Sequence, residues 1–275
     1  QIMRVFRLKF DPKAINAEII NAAIWSAKHS GIEVKDDKFL IYVEDGKLNE
    51  ADIWFILDQH GLKEKVEVTS EILKDQNWNK AWEANFAPIR IKNKVFIRAD
   101  FHPSRPEMLE LIIHPRMTFG TGHHETTRGM MELMTELDFT NRSVLDMGCG
   151  TGILGIYALK SKALAVDFID NDKHCYENTI ENIQKNQLAN QHVFLADRLN
   201  NGKKYDYILA NIHKNIILDQ LADYKRHLKP SGKLLISGFY VNDKDEIIEK
   251  AEQNGLCFEE ENLVKDWLTV KLKYY

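Results

Sequence analysis

The chain has 275 residues, of which 44% are hydrophobic and 28% charged, and its formal net charge is -4. This length and composition predict a globular protein of one large or two modest domains, and the negative charge argues against nucleic-acid binding over the whole surface. No apolar run approaches the ~20 residues that span a bilayer, and the three scattered cysteines fit a reducing compartment, so we expect a cytoplasmic protein.

The first 70 residues predict a small α+β domain. Phe6, Leu8 and Phe10 alternate with charged residues, which indicates a half-buried strand. The later elements are a helix from Ile15 to Ala27, two strands flanking Asp36-Asp37, a helix capped by Asn49, and a strand at Lys65–Thr69. The order β-α-β-β-α-β is that of ferredoxin-like domains, which we interpret as a partner-binding domain over residues 1–70.

Residues 71–88 predict a linker that contains a helix. Trp78, Trp82 and Phe86 recur every four positions and therefore share one helix face, which we expect to pack against a domain. Pro88 ends this segment, so we place the start of a second, larger domain at residue 89 and its end at residue 275.

The larger domain contains a nucleotide-binding pattern. Residues 144–152 read VLDMGCGTG, an apolar strand followed by three closely spaced glycines, and Ile153–Lys160 predicts the helix that follows. A second apolar strand ends at Asp170, 22 positions after Gly148. In a parallel α/β sheet, such glycines let the backbone approach a nucleoside, and such an acid accepts hydrogen bonds from ribose hydroxyls.

Two classes of cofactor compete for this loop. A dinucleotide site requires a third glycine where this chain has Ile153, and its pyrophosphate would be repelled by Asp146. S-adenosylmethionine carries an adenosine, a sulfonium and an amino-acid end, and it has no phosphate. The sequence therefore favours S-adenosylmethionine.

The rest of the chain continues the α/β alternation, but its last two strands differ from those of a dehydrogenase. A strand ends at Asn211, and a helix at Ile216–Leu228 is predicted to stop at Pro230 and Gly232. Two final strands, joined by Lys265-Asp266, are predicted to pair antiparallel. A parallel sheet with a terminal antiparallel hairpin is the Rossmann-like pattern of class I methyltransferases.

Further motifs extend this pattern over most of the chain. They are NWNKAWEANFAPIRI in the linker, FGTGHHETT at 119–127, DFIDND after the second strand, and DYILANI at 206–212. Together with the glycine loop they resemble the PrmA family, methyltransferases of the eleventh protein of the large ribosomal subunit. The resemblance implies an S-adenosylmethionine-dependent enzyme that methylates lysine side chains and the α-amine of that protein, after capture by the amino-terminal domain.

The resemblance also implies the cofactor-binding residues. They are Thr127, Gly148, Asp170 and Asn211, to which we add Gly150 of the same loop. Thr127 would start a helix that faces the cofactor's carboxylate, and the amide oxygen or the backbone carbonyl of Asn211 would orient the acceptor amine.

No residue stands out as catalytic. His124 and His213 are candidate general bases, and solvent is the alternative. A metal site at His123-His124-Glu125 is disfavoured because adjacent histidines point apart. His213 and Lys214 depart from the family pattern, so the positioning of the acceptor is open.

Two other functions remain as alternatives. One is a methyltransferase of the same fold that acts on RNA or a small molecule, although Asn211-Ile212-His213-Lys214 lacks the two prolines and aromatic residue typical of RNA-base enzymes. The other is a ribosome assembly factor without catalysis. For the leading hypothesis we expect a monomer that contacts neither membrane nor nucleic acid.

Overall fold

The computed structural model describes residues 3–12, 15, 20, 24, 31–35, 37–44, 46–73, 87–114, 120–189, 191–198 and 202–275. Contacts divide the chain into two compact units, residues 1–86 and residues 87–275, each of which has its own hydrophobic core. In the described part of the chain, no helix is long and apolar enough to cross a membrane.

The first unit contains an antiparallel sheet in the order β2-β3-β1-β4. Its strands are β1 (Met3–Phe10), β2 (Gly31–Lys35), β3 (Lys38–Glu44) and β4 (Val66–Leu73). Helix α1 (Glu50–Gln59) starts at Asn49, whose side chain accepts a hydrogen bond from the backbone N–H of Asp52, as predicted.

Two predictions for this part of the chain fall largely on residues outside the described ranges. Most of the helix predicted from Ile15 to Ala27 belongs to them, but its described members Ile15, Ile20 and Ile24 are buried in the core of the first unit. The linker face of Trp78, Trp82 and Phe86 lies wholly outside the described residues.

The second unit is built on a seven-stranded sheet in the order β10-β9-β8-β11-β12-β14-β13. Its strands are β8 (Ser143–Met147), β9 (Ala165–Asp170), β10 (Gln191–Leu195), β11 (Tyr205–Asn211), β12 (Leu228–Tyr240), β13 (Leu256–Val264) and β14 (Trp267–Tyr274). The first five strands in this order, β10-β9-β8-β11-β12, pair parallel, and β14 pairs antiparallel with both β12 and β13. The predicted parallel sheet with a terminal antiparallel hairpin is confirmed.

Helices cover both faces of this sheet. They are α2 (Glu125–Met134), α3 (Ile153–Lys160), α4 (Lys173–Lys185), α5 (Lys214–His227) and α6 (Lys244–Gln253). Apolar side chains of α2, α3 and α4 share one core with the sheet, and those of α5 and α6 share the other. This two-faced burial explains why β8 and β11 are nearly continuous apolar runs.

A small sheet, β5-β6-β7, precedes α2. Its strands are β5 (Ile89–Ile91), β6 (Val95–Arg98) and β7 (Leu109–Ile112). The sequence predicted the first two around a turn near Asn93 but not β7, which is only four residues long and buries just Leu111 fully.

Helix α5 ends at His227, before the two residues that were predicted to stop it. Pro230 and Gly232 lie inside β12, which begins directly after the helix. The pairing of β11 with β12 jumps from Tyr205–Leu228 to Tyr207–Lys233, so the residues between them bulge out of the ladder. Proline has no N–H to donate and is tolerated at such a bulge.

Candidate functional site

The five site residues predicted from the sequence meet at one edge of the large sheet. Strands β8 and β11 are neighbours at its centre, and the chain proceeds from β8 towards β9 on one side and from β11 towards β12 on the other. Such a switch point leaves a crevice outside the carboxyl ends of the strands, where open α/β sheets bind ligands. The glycine loop, Asp170 and Asn211 all follow or end strands at this edge.

The glycine loop has a backbone that other residues rarely adopt. Gly148, Gly150 and Gly152 have φ angles of 68°, 56° and 78°. The backbone N–H groups of Gly148 and Cys149 both donate to the carbonyl of Ile169, at 2.8 and 3.0 Å. A Cβ atom at Gly148 would overlap the Cγ2 atom of Ile212, so glycine is required there for close packing as well as for its φ angle.

Gly148→Ala is expected to lower the free energy of unfolding by about 2 kcal/mol more than Gly202→Ala. Both glycines have similar φ angles, 68° and 65°, but a Cβ at Gly202 meets nothing within 4 Å. Gly202→Ala therefore measures backbone strain alone, and the difference measures the overlap with Ile212. Urea denaturation of the two variants gives both values, and equal losses would contradict the close contact.

Asp146 in β8, which we expected to repel a pyrophosphate, is buried and hydrogen-bonded within the protein. Only 1% of the residue is exposed, and its Oδ2 atom accepts a hydrogen bond from the backbone N–H of Gly155 in α3, at 2.9 Å. Burial raises the pKa of Asp146 to about 8, and the neighbouring charge of Asp170 adds to this rise. With its pKa at about 8, this carboxyl is largely protonated at neutral pH, so the repulsion of a pyrophosphate that we predicted from the sequence does not follow from it.

Gly155 provides the close helix–strand contact that a dinucleotide-binding loop obtains at its third glycine. A Cβ at Gly155 would overlap the ring of Phe168 in β9. Helix α3 therefore approaches the sheet closely although Ile153 occupies the position of that glycine.

Asp170 is fixed by the backbone on both sides. Its Oδ2 atom accepts from the N–H of Gly150 and its Oδ1 atom from the N–H of Asp172, each at 2.9 Å. The residue remains 9% exposed, and each carboxylate oxygen keeps a further lone pair. The carboxylate is thus pre-oriented to accept hydrogen bonds from two adjacent hydroxyls.

Asn211 and Thr127 form the other side of the crevice. The Nδ2 atom of Asn211 donates to Oγ1 of Thr127 at 3.4 Å, and Thr127 lies in the first turn of α2 with 1% exposure. The Oδ1 atom of Asn211 is buried and has no hydrogen-bond partner. A buried amide oxygen without a donor is costly, so its position suits a ligand that carries an N–H group.

The two candidate bases, and Lys214, which departs from the family pattern, make contacts that do not indicate proton transfer. His124 caps the start of α2 and accepts a hydrogen bond from the N–H of Thr126. His213 is exposed at the start of α5, without a side-chain cap. The ammonium of Lys214 contacts Asp243 at 2.7 Å and Glu246 at 3.0 Å, which holds it toward α6. No cluster with metal-ligand character occurs in the described residues.

Two residues that support the loop were missed from the sequence. Thr151 donates through Oγ1 to the carbonyl of Gly120, and Asn182 in α4 donates through Nδ2 to the carbonyl of Thr151 at 2.8 Å. The Oδ1 atom of Asn182 also accepts from the N–H of His114, at 2.7 Å. The only sequence signal was an asparagine on the apolar face of a helix.

Comparison with known proteins gives concordant matches. The family profile described as "Ribosomal protein L11 methyltransferase (PrmA)" matches residues 12–274. A Porphyromonas gingivalis protein named ribosomal protein L11 methyltransferase is 39% identical over 279 residues, which cover 98% of this chain and 96% of the relative. A protein of the same name from Phocaeicola vulgatus is 40% identical and covers 78% of this chain and 82% of its own length.

The fold also matches a solved structure. The ribosomal protein L11 methylase of Lactobacillus delbrueckii subsp. bulgaricus superposes with a TM-score of 0.64 at 23% identity, over 69% of this chain and 100% of that one. This likeness supports the class I methyltransferase fold.

Proposed function

The chain belongs to the ribosomal protein L11 methyltransferase (PrmA) family, and from this we propose that it transfers methyl groups from S-adenosylmethionine to amines of ribosomal protein L11. The observation that carries the proposal is the buried, unpartnered Oδ1 atom of Asn211 at the end of β11, next to Ile212, which packs against Gly148 of the glycine loop. Lysine side chains and the α-amine are the proposed acceptors.

The residues at the crevice fit this cofactor better than a dinucleotide. Asp170 would accept from the ribose hydroxyls, Gly148 and Gly150 would allow close approach, and Thr127 at the start of α2 would face the carboxylate. Ile153 stands where a dinucleotide-binding loop has its third glycine, and Gly155 makes the close helix–strand contact instead. When bound, S-adenosylmethionine supplies a methyl group made electrophilic by its sulfonium.

The protein's contribution is to orient the amine and to exclude water. An acceptor lysine has an ordinary pKa of about 10.4, so it must lose a proton before its lone pair can react. We assign to Oδ1 of Asn211 the acceptance of one N–H of the neutral amine, which aims the lone pair at the methyl carbon. His124 is bound to Thr126 and His213 is exposed, so we assign proton removal to solvent.

The proposal includes the division of labour between the domains. Residues 1–70 would capture the ribosomal protein, 71–88 would link, and 89–275 would catalyse. In the first unit, helix α1 exposes Phe55 beside the ion pair of Asp58 with Lys63, and we propose this apolar surface as a contact for the captured protein. We propose that the enzyme acts as a cytoplasmic monomer that contacts neither membrane nor nucleic acid.

Single-turnover transfer of labelled methyl tests the proposed function. We expect the label to appear on purified ribosomal protein L11 in stoichiometric amounts, and on none of the RNA from the same ribosomes. L11 with acetylated amines is the matched control and should remain unlabelled. Binding of L11 without label would favour the assembly-factor alternative, and label on RNA would favour an RNA acceptor.

A further inference from the structure

Three aromatic rings cluster where β12 ends and β14 begins, beside the start of α2. Tyr240 at the end of β12 pairs with Trp267 at the start of β14, and their ring centroids are 4.2 Å apart with an interplanar angle of 33°. The ring of His124 meets Trp267 edge-on, with centroids 4.9 Å apart. We call these three rings the aromatic wall; its outer member, Tyr240, is 50% exposed.

The aromatic wall adjoins the amine-binding side of the site. Asn211 pairs with Ser237, three residues before Tyr240, and the N–H of Ile212 donates to the carbonyl of Ser237 at 3.1 Å. His124 starts the helix whose first turn carries Thr127. In the strand order, β8 and β11 separate β9, which ends at Asp170, from β12. The aromatic wall therefore lies on the side of the sheet away from the proposed ribose contact.

Several contacts hold the wall in place. The ammonium of Lys265, in the turn before Trp267, pairs with Glu125 in the first turn of α2. The N–H of Val241 donates to the carbonyl of Asp266 at 2.9 Å, and the N–H of Tyr240 donates to Asp243 at 3.1 Å. A surface fixed in this way loses little conformational entropy when a ligand packs on it.

We propose that the aromatic wall packs against the methylene stem of an acceptor lysine, which makes Tyr240 a determinant of selectivity for lysine side chains over an α-amine. The inference rests on the proposed function. A lysine presents a flexible four-carbon stem behind its amine, whereas an α-amine is attached directly to the main chain. In this arrangement the aromatic wall contacts the apolar stem. The amine itself lies beside Asn211, where it must be neutral to react.

Two forms of the ribosomal protein test the proposal. One has an acetylated α-amine and native lysines; the other has a free α-amine and arginine in place of every lysine. Tyr240→Ala is expected to raise KM for the lysine form about tenfold with little change in kcat, and to leave KM for the α-amine form unchanged. Tyr240→Phe retains the ring and should behave as the wild type.

Controls separate this effect from a general defect. Phe258 in β13 is another exposed aromatic residue of the same sheet, and its ring lies under the ammonium of Lys244. Phe258→Ala should leave both KM values unchanged. The affinity of Tyr240→Ala for S-adenosylmethionine, measured by calorimetry, should equal that of the wild type. Unchanged KM values, or equal rises for both forms, would overturn the inference alone; a wild type that methylates neither form would overturn the proposed function and the inference with it.

Discussion

Asp170→Ala is expected to weaken S-adenosylmethionine binding about a hundredfold or more, because it would remove the two charge-assisted hydrogen bonds that we propose to the ribose hydroxyls, worth about 1.5 kcal/mol or more each. The same carboxylate also accepts from the N–H groups of Gly150 and Asp172, so the variant loses the anchor of the glycine loop as well. Isothermal titration calorimetry measures the change directly.

Asp172→Ala is the matched control for this prediction. Asp172 is an exposed carboxylate two positions along the chain, and it caps α4 by accepting from the N–H of His174. Its loss should cost about 1 kcal/mol of stability and leave cofactor affinity unchanged. Asp170→Asn keeps one acceptor oxygen and should bind with intermediate affinity. Wild-type affinity in Asp170→Ala would remove Asp170 from the proposed ribose site.

Local patterns explain why so much of the second unit was predictable. Strands β8, β9 and β11 are buried on both faces, so they appear as apolar runs, and positive φ angles require the glycines between β8 and α3. Because carboxyl ends of parallel strands meet at one edge, the positions of Asp170 and Asn211 followed from the strand order.

The features that were not predicted depend on contacts between distant residues. Asp146 turns toward Gly155, and Lys214 is held by Asp243, 29 positions away. Pro230 is accommodated by a bulge that exists only when β11 lies alongside. The aromatic wall likewise joins α2, β12 and β14, and no periodicity in the sequence links its members.

Asn211→Ala is expected to reduce kcat about a hundredfold, the usual effect of losing the alignment of a reacting group. The hydrogen bond from its Nδ2 atom to Oγ1 of Thr127 orients the amide and leaves Oδ1 buried without a partner. Alanine removes this hydrogen-bond acceptor. The substrate amine still binds the remaining residues of the pocket, but its lone pair is no longer aimed at the methyl carbon. Stopped-flow single-turnover kinetics with L11 measures the rate of transfer.

Asn211→Asp distinguishes the acceptor amine from the cofactor as the partner of that oxygen. An aspartate keeps an acceptor oxygen but adds a negative charge, which raises the pKa of a neighbouring amine because it favours the protonated form. If the partner is the acceptor amine, transfer by Asn211→Asp should be slow at pH 7 and recover as the pH rises toward 10, with cofactor affinity unchanged in both variants. If both variants instead lose cofactor affinity in parallel with rate, the amide oxygen of Asn211 binds the cofactor, and the orientation of the acceptor must come from the backbone carbonyl at the end of β11.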